Sequence, residues 1–184
     1  MGDNSTRYYD GSCGGALNTS VSGVLTGNLN PGIRILRGYT VGNNDAETIY
    51  GNLTDSETIK IVSHSMGAAY AKEFVIGLLS FAKEHHISHK IEMELDLAPF
   101  QPMLQMANPN INNTLTISHW HDGIAGLSFM FGAKNKRTRF GKVGFLPTTE
   151  HSIDSFREEI DKYIPFGNKI KGGRIMQWEE NGKK

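Results

Sequence analysis

The residues best equipped for chemistry stand in one short stretch, Ile59-Lys-Ile-Val-Ser-His-Ser65-Met-Gly-Ala-Ala-Tyr70. A β-branched apolar run stops, a turn of small residues follows, and a segment with helical spacing begins. A serine on such a strand-to-helix corner is presented as a nucleophile, its hydroxyl exposed at the sheet rim and its backbone held in strained geometry. The sharp turn requires small residues two before and two after the serine. Gly67 meets the second requirement, and Ser63 stands where the usual pattern has glycine, so the motif reads Ser-x-Ser-x-Gly. Ala68 and Ala69 let the helix lie close to the sheet. The helix start places positive partial charge beside Ser65, and the backbone N–H of Met66 would face the oxygen of a tetrahedral intermediate. The hydroxyl also needs a base to take its proton and a carboxylate to fix the tautomer of that base.

Ser63-His-Ser-Met-Gly67 followed by Ala68-Ala69 resembles the elbow of α/β-hydrolases, above all the class-3 lipases of fungal type. It is also similar to the lipase-like domains at the C-terminal ends of bacterial RHS-repeat proteins, which are polymorphic toxins. The resemblance spans residues 32–163; the elbow is its specific part, and element order and spacing carry the rest. It implies a compact α/β fold, a mostly parallel central sheet with helices on both faces, and a triad in the chain order Ser, acid, His. It further implies hydrolysis of carboxylic esters through an acyl-enzyme, without a cofactor, and a toxin or effector role acting on lipids.

Seven histidines compete for the role of base. His64 lies inside the elbow and is directed away from its neighbour. His85, His86 and His89 close the long helix, where imidazolium suits the helix dipole. His119 and His121 flank Trp120. His151 stands in Pro147-Thr-Thr-Glu-His151-Ser-Ile-Asp, just before the last helix and C-terminal to every candidate acid; class-3-type lipases carry the catalytic histidine on such a loop. Asp122, in Ser118-His-Trp-His-Asp122-Gly, follows a strand as the acid of those lipases does. Asp96, at the end of the preceding strand, is the alternative acid. The second oxyanion donor in the resembling fold comes from a loop after an early strand, which points to Gly38 and Tyr39.

Other chemistries have weaker support. His119 and His121 alternate along a strand and with Asp122 would suit zinc. No second motif such as His-Glu-x-x-His accompanies them, so a hydrogen-bonding role beside the acid is the better reading and no metal is assigned. The basic run Lys134–Lys142 reads as a solvated loop, or as a transient contact with phospholipid headgroups. Phe100–Asn113 has an apolar half that would line an acyl pocket or form a lid, and that reads equally as a core helix before an Asn-rich loop. Two alternatives to hydrolysis share these residues: a binding module that kept the fold and lost turnover, and acyl transfer to an acceptor other than water.

These residues must be positioned by regular elements. Gly32–Arg37 reads as a first strand, and Asn43-Asn44-Asp45 as caps for a helix over Ala46–Leu53. Thr58–Ser63, Lys90–Leu97, Thr114–Ser118 and Arg139–Leu146 read as strands. On the second of these, Ile91, Met93, Leu95 and Leu97 share one face and Glu92, Glu94 and Asp96 the other. Met66–Glu84 reads as a helix with Ala68, Ala71, Val75, Leu78, Leu79 and Ala82 at helical spacing. Ile124–Phe131 reads as a core helix, and Ser152–Tyr163 as a helix with Ile153, Phe156, Ile160 and Tyr163 on one stripe. Short strands are expected at Val21–Leu25 and Arg174–Trp178. Strands alternating with helices imply a parallel sheet covered on both faces.

At 184 residues the chain suits one domain, with residues 1–31 as a Gly/Asn/Ser-rich lead-in or linker and 32–184 as the catalytic domain. The charges balance, 19 Lys+Arg against 19 Asp+Glu, which removes the electrostatic footprint of a nucleic-acid binder. No apolar run approaches the roughly 20 residues of a membrane span, so the expected partner is a small-molecule or lipid ester. The single cysteine, Cys13, excludes an internal disulfide framework. Met1–Asp10 lacks a charged-then-apolar leader, which suits the cytoplasm and equally a domain delivered as part of a larger chain.

Overall fold

The structure, a computed structural model, describes residues 7–9, 31–99, 105–119, 135–139 and 152–163. Its elements are α1 (Pro31–Gly51), β1 (Ile59–His64), α2 (Gly67–Glu84), β2 (Ile91–Leu97), β3 (Asn113–His119), β4 (Asn135–Arg139), a 3-10 turn (Ile153–Phe156) and α3 (Arg157–Tyr163). The four strands form one sheet in the order β1-β2-β3-β4, and every neighbouring pair is parallel. All four strands therefore end on the same edge.

Register fixes which side chains share a face. Ser63 lies opposite Asp96, which lies opposite Thr116; Val62 lies opposite Leu95, which lies opposite Leu115. The face of Leu95 is apolar. Met93, Leu95, Leu97, Leu115 and Ile117 pack there against Phe156 and Ile160, with Ile153 at the margin. Ser152 starts this covering element as its N-cap, accepting from the Asp154 N–H at 3.3 Å. The expected stripe Ile153, Phe156, Ile160 thus covers one side of the sheet.

The opposite face carries Ser63, Glu94, Asp96, Thr114, Thr116 and Ser118, all buried, and is covered by α2. Helical elements accordingly flank a parallel sheet on both sides, as the alternation of elements predicts. Toward the strand starts this face turns apolar: Tyr70, Phe74, Val75 and Leu78 of α2 pack with Ala46, Ile91 and Ile111, and with the half-buried Ile59 and Ile61.

The first expected strand is a correction. Gly32–Arg37 opens α1, which runs unbroken from Pro31 to Gly51, so Asn43, Asn44 and Asp45 are helix interior rather than caps. The reason lies in what α1 buries. Its contact face is Gly38, Gly42 and Ala46, a stripe of small residues that a search for large apolar periodicity passes over. A Cβ at Gly38 would strike the carbonyl of Tyr70, one at Gly42 the carbonyl of Phe74, and one at Gly77 would stand 2.5 Å from the carbonyl of Tyr39. The α1 and α2 backbones touch at these positions. Tyr9 closes the pair, its ring 4.6 Å from that of Phe74 and its hydroxyl donating to Asp45 at 2.9 Å. Burial, and then that carboxylate, push the Tyr9 hydroxyl up to about 12.

Two further readings change. Within the basic run expected as a loop, residues 135–139 form β4, parallel to β3; of the expected strand Arg139–Leu146, Arg139 ends β4 and residues 140–146 lie outside the described residues. Residues 105–112 are not helical: Gln105, Ala107 and Ile111 are buried along an irregular path with Met106 exposed. The expected elements at Val21–Leu25, Ile124–Phe131 and Arg174–Trp178 lie outside the described residues.

Candidate active site

β1 ends at His64 and α2 starts at Gly67, so the strand-to-helix turn is Ser65-Met66 alone. Ser65 has a φ of 53°, in the left-handed region that a residue with a side chain rarely occupies. Its N–H donates to the Leu97 carbonyl at 3.0 Å, and its own carbonyl accepts from the Ala68 N–H at 3.2 Å. The corner is thereby tied to the end of β2 and to the first turn of α2. Ser65 itself is half-buried at the strand-end edge of the sheet. Met66 is the N-cap of α2 with helical dihedrals, next to the positive end of an 18-residue helix.

Ser63 explains its own departure from glycine. Its hydroxyl faces inward and donates to Asp96 Oδ1 at 2.6 Å. Lys72, from α2, donates to Asp96 Oδ2 at 2.6 Å and lies 2.7 Å from Glu94 Oε1. Asp96 and Glu94 are fully buried, and Lys72 nearly so. Burial, and next the Asp96 carboxylate, push the Glu94 carboxyl up to about 7, against the opposing pull of the Lys72 ammonium. The Thr116 and Ser118 hydroxyls extend this polar layer and meet no hydrogen-bond partner among the described residues.

Gly67 opens α2 immediately after the turn. A Cβ there meets nothing within 4 Å among the described residues outside its own helix and chain neighbours. The oxyanion candidates Gly38 and Tyr39 are a second correction. Both lie inside α1 rather than on a loop after a strand, and backbone N–H groups within a helix are spent on carbonyls four residues back. Asp96, the alternative acid, has both carboxylate oxygens engaged beneath the elbow. Asp122 and His151 lie outside the described residues, as do His121 and the side chain of His119. The described residues nearest to them in the chain are His119 and Ser152. β3, which ends at His119, finishes on the same edge as Ser65. The turn that begins at Ser152 docks Phe156 6.3 Å from the ring of His64, the residue before the nucleophile candidate. No group of three or more His, Cys, Asp or Glu among the described residues is arranged to hold a metal, and no described helix is long and apolar enough to cross a membrane.

The residue that sequence reasoning missed is Lys72. Its signal was present: it sits four residues after Ala68 and three before Val75, on the buried stripe of α2, while Glu94 and Asp96 alternate on β2. Opposite charges on two buried faces could have been matched. Compared with known proteins, the chain matches no family model, and no curated protein or solved structure matches it significantly.

Proposed function

We propose that the protein is a serine hydrolase of carboxylic esters, lipid esters among them, with Ser65 as nucleophile. The observation that carries the reading is the left-handed backbone of Ser65 between a parallel strand and a helix, since strain at a non-glycine residue on such a corner presents a hydroxyl at the rim of the sheet. In the mechanism, His151 takes the Ser65 proton as Oγ attacks the acyl carbon. Asp122 holds the imidazole and stabilises its charge, and the N–H of Met66 at the start of α2 faces the oxyanion. The alcohol leaves with the proton returned from His151, and water then releases the acyl group by the same route.

Topology supports these assignments. The strands lie in chain order, so segments following β1 and β3 leave one edge two strand spacings apart, about 10 Å, a distance that an intervening imidazole spans. The commitment of both Asp96 oxygens to Ser63 and Lys72 leaves Asp122 as the better acid. The docking of Phe156 beside His64 brings the segment after position 151 to the elbow.

The test is turnover of p-nitrophenyl esters of graded acyl length. The wild-type protein cleaves them. Ser65→Ala and His151→Ala each lower kcat by about 10⁴-fold or more, and Asp122→Asn lowers it by about 10⁴-fold. Folded wild-type protein without turnover, or undiminished turnover in Ser65→Ala, defeats the proposal. Added alcohol acceptors separate hydrolysis from acyl transfer by the product formed.

A further inference from the structure

Three elements meet at Ser65: the strand before it, the helix after it and the strand beside it. A residue with a side chain keeps a left-handed backbone only where its surroundings over-determine it. Two bonds supply part of that constraint, Ser65 N–H to Leu97 and Ala68 N–H to Ser65. They fix the corner to β2 and to α2, and the parallel ladder carries the backbone of β1 on β2 as far as Ser63 opposite Asp96 and His64 opposite Leu97. A side-chain bond, Ser63 to Asp96, adds to that ladder. We propose that Asp96, pinned by Lys72 and bonded to Ser63, is a positioning residue that holds Ser65 in its strained conformation.

The geometry is economical. Asp96 and Leu97 are consecutive on β2, so the carboxylate that grips Ser63 and the carbonyl that grips Ser65 move together. Lys72 takes the other carboxylate oxygen from the second turn of α2, which keeps Asp96 from rotating away. Glycine at position 63 would lack the bond to Asp96; serine at the usually glycine position is what ties a β1 side chain to the clamp. Asp96 is fully buried, so it acts through Ser63 rather than on substrate. The inference rests on Ser65 as nucleophile for its catalytic consequence, though not for the clamp itself.

Two readouts on Ser63→Ala and Ser63→Thr test it: amide hydrogen exchange at Ser65, with Leu78 of α2 as internal reference, and ester turnover per site titrated by a fluorophosphonate. Removing the hydroxyl raises Ser65 exchange at least tenfold with Leu78 unchanged, and lowers kcat about tenfold with KM within twofold. Threonine keeps the hydroxyl and restores both. Asp96→Asn, where it folds, reproduces the Ser63→Ala pattern. Unchanged Ser65 exchange and kcat in Ser63→Ala, or a threonine variant as poor as alanine, overturns the clamp. If the wild-type protein turns over no ester, the hydrolase reading fails, and the exchange comparison alone then decides the clamp.

Discussion

Lys72, Glu94 and Asp96 place one positive and two negative side chains in a buried layer, a combination that water would solvate far better. The consequence is a proton held on Glu94. Its carboxyl ordinarily titrates at 4.5 and is raised to about 7 in the fold, first by burial and then by Asp96. The folded state therefore binds a proton that the unfolded chain has already released between these values. The stabilisation from that proton is fully present below pH 4.5 and is lost as pH rises through about 7, with a slope of at most about 1.4 kcal/mol per pH unit. Glu94→Gln removes this term while leaving Lys72 paired with Asp96. Urea unfolding at pH 5 and pH 8 should show the wild type losing more stability than Glu94→Gln over that interval. Equal losses would contradict the protonated assignment. The sequence displayed the alternation of Glu94 and Asp96 on β2 but not their burial, because charged residues are almost never buried unless paired, and the partner lay on another element.

Of the two long helices, one was legible from sequence and one was not. α2 announces itself by apolar residues three and four apart, and the turn before it by Ser63–Gly67. α1 buries Gly38, Gly42 and Ala46 instead, and its apolar Ile33, Ile35 and Leu36 mimic a short strand. The usable signal was at its ends, since proline opens it and glycine closes it. Tertiary contact explains the rest: small residues let the α1 and α2 backbones approach, which no local propensity reports. Alanine is the better helix former by about 1 kcal/mol, yet Gly38→Ala and Gly42→Ala should each destabilise the protein by about 1–3 kcal/mol, because the new methyl meets backbone rather than a yielding side chain. Thermal unfolding of the two variants checks this. A rise in Tm for either would mean that the close crossing is not required.

At the scale of the molecule, the parallel sheet turns sequence order into spatial order. Chain ends of strands that are far apart in sequence gather on one edge, which is where open α/β sheets bind ligands. Ser65 follows β1 there, and β3 and β4, which precede Asp122 and His151 in the chain, end on the same edge. The parallel sheet was readable from the sequence, because strands alternating with helices need crossover connections; the helical setting of Gly38 and Tyr39 was not, because the apolar run before them mimics a strand where α1 stands. The central claim is that distant parts of the chain converge to make one serine reactive. It is tested most directly by treating the folded protein with a fluorophosphonate and mapping the adduct by peptide mass spectrometry. The account predicts a single modified serine, Ser65, whose labelling falls at least about 10³-fold in rate in His151→Ala, as loss of the general base requires. Labelling spread over several serines, or labelling of Ser65 at the same rate in both proteins, would contradict it.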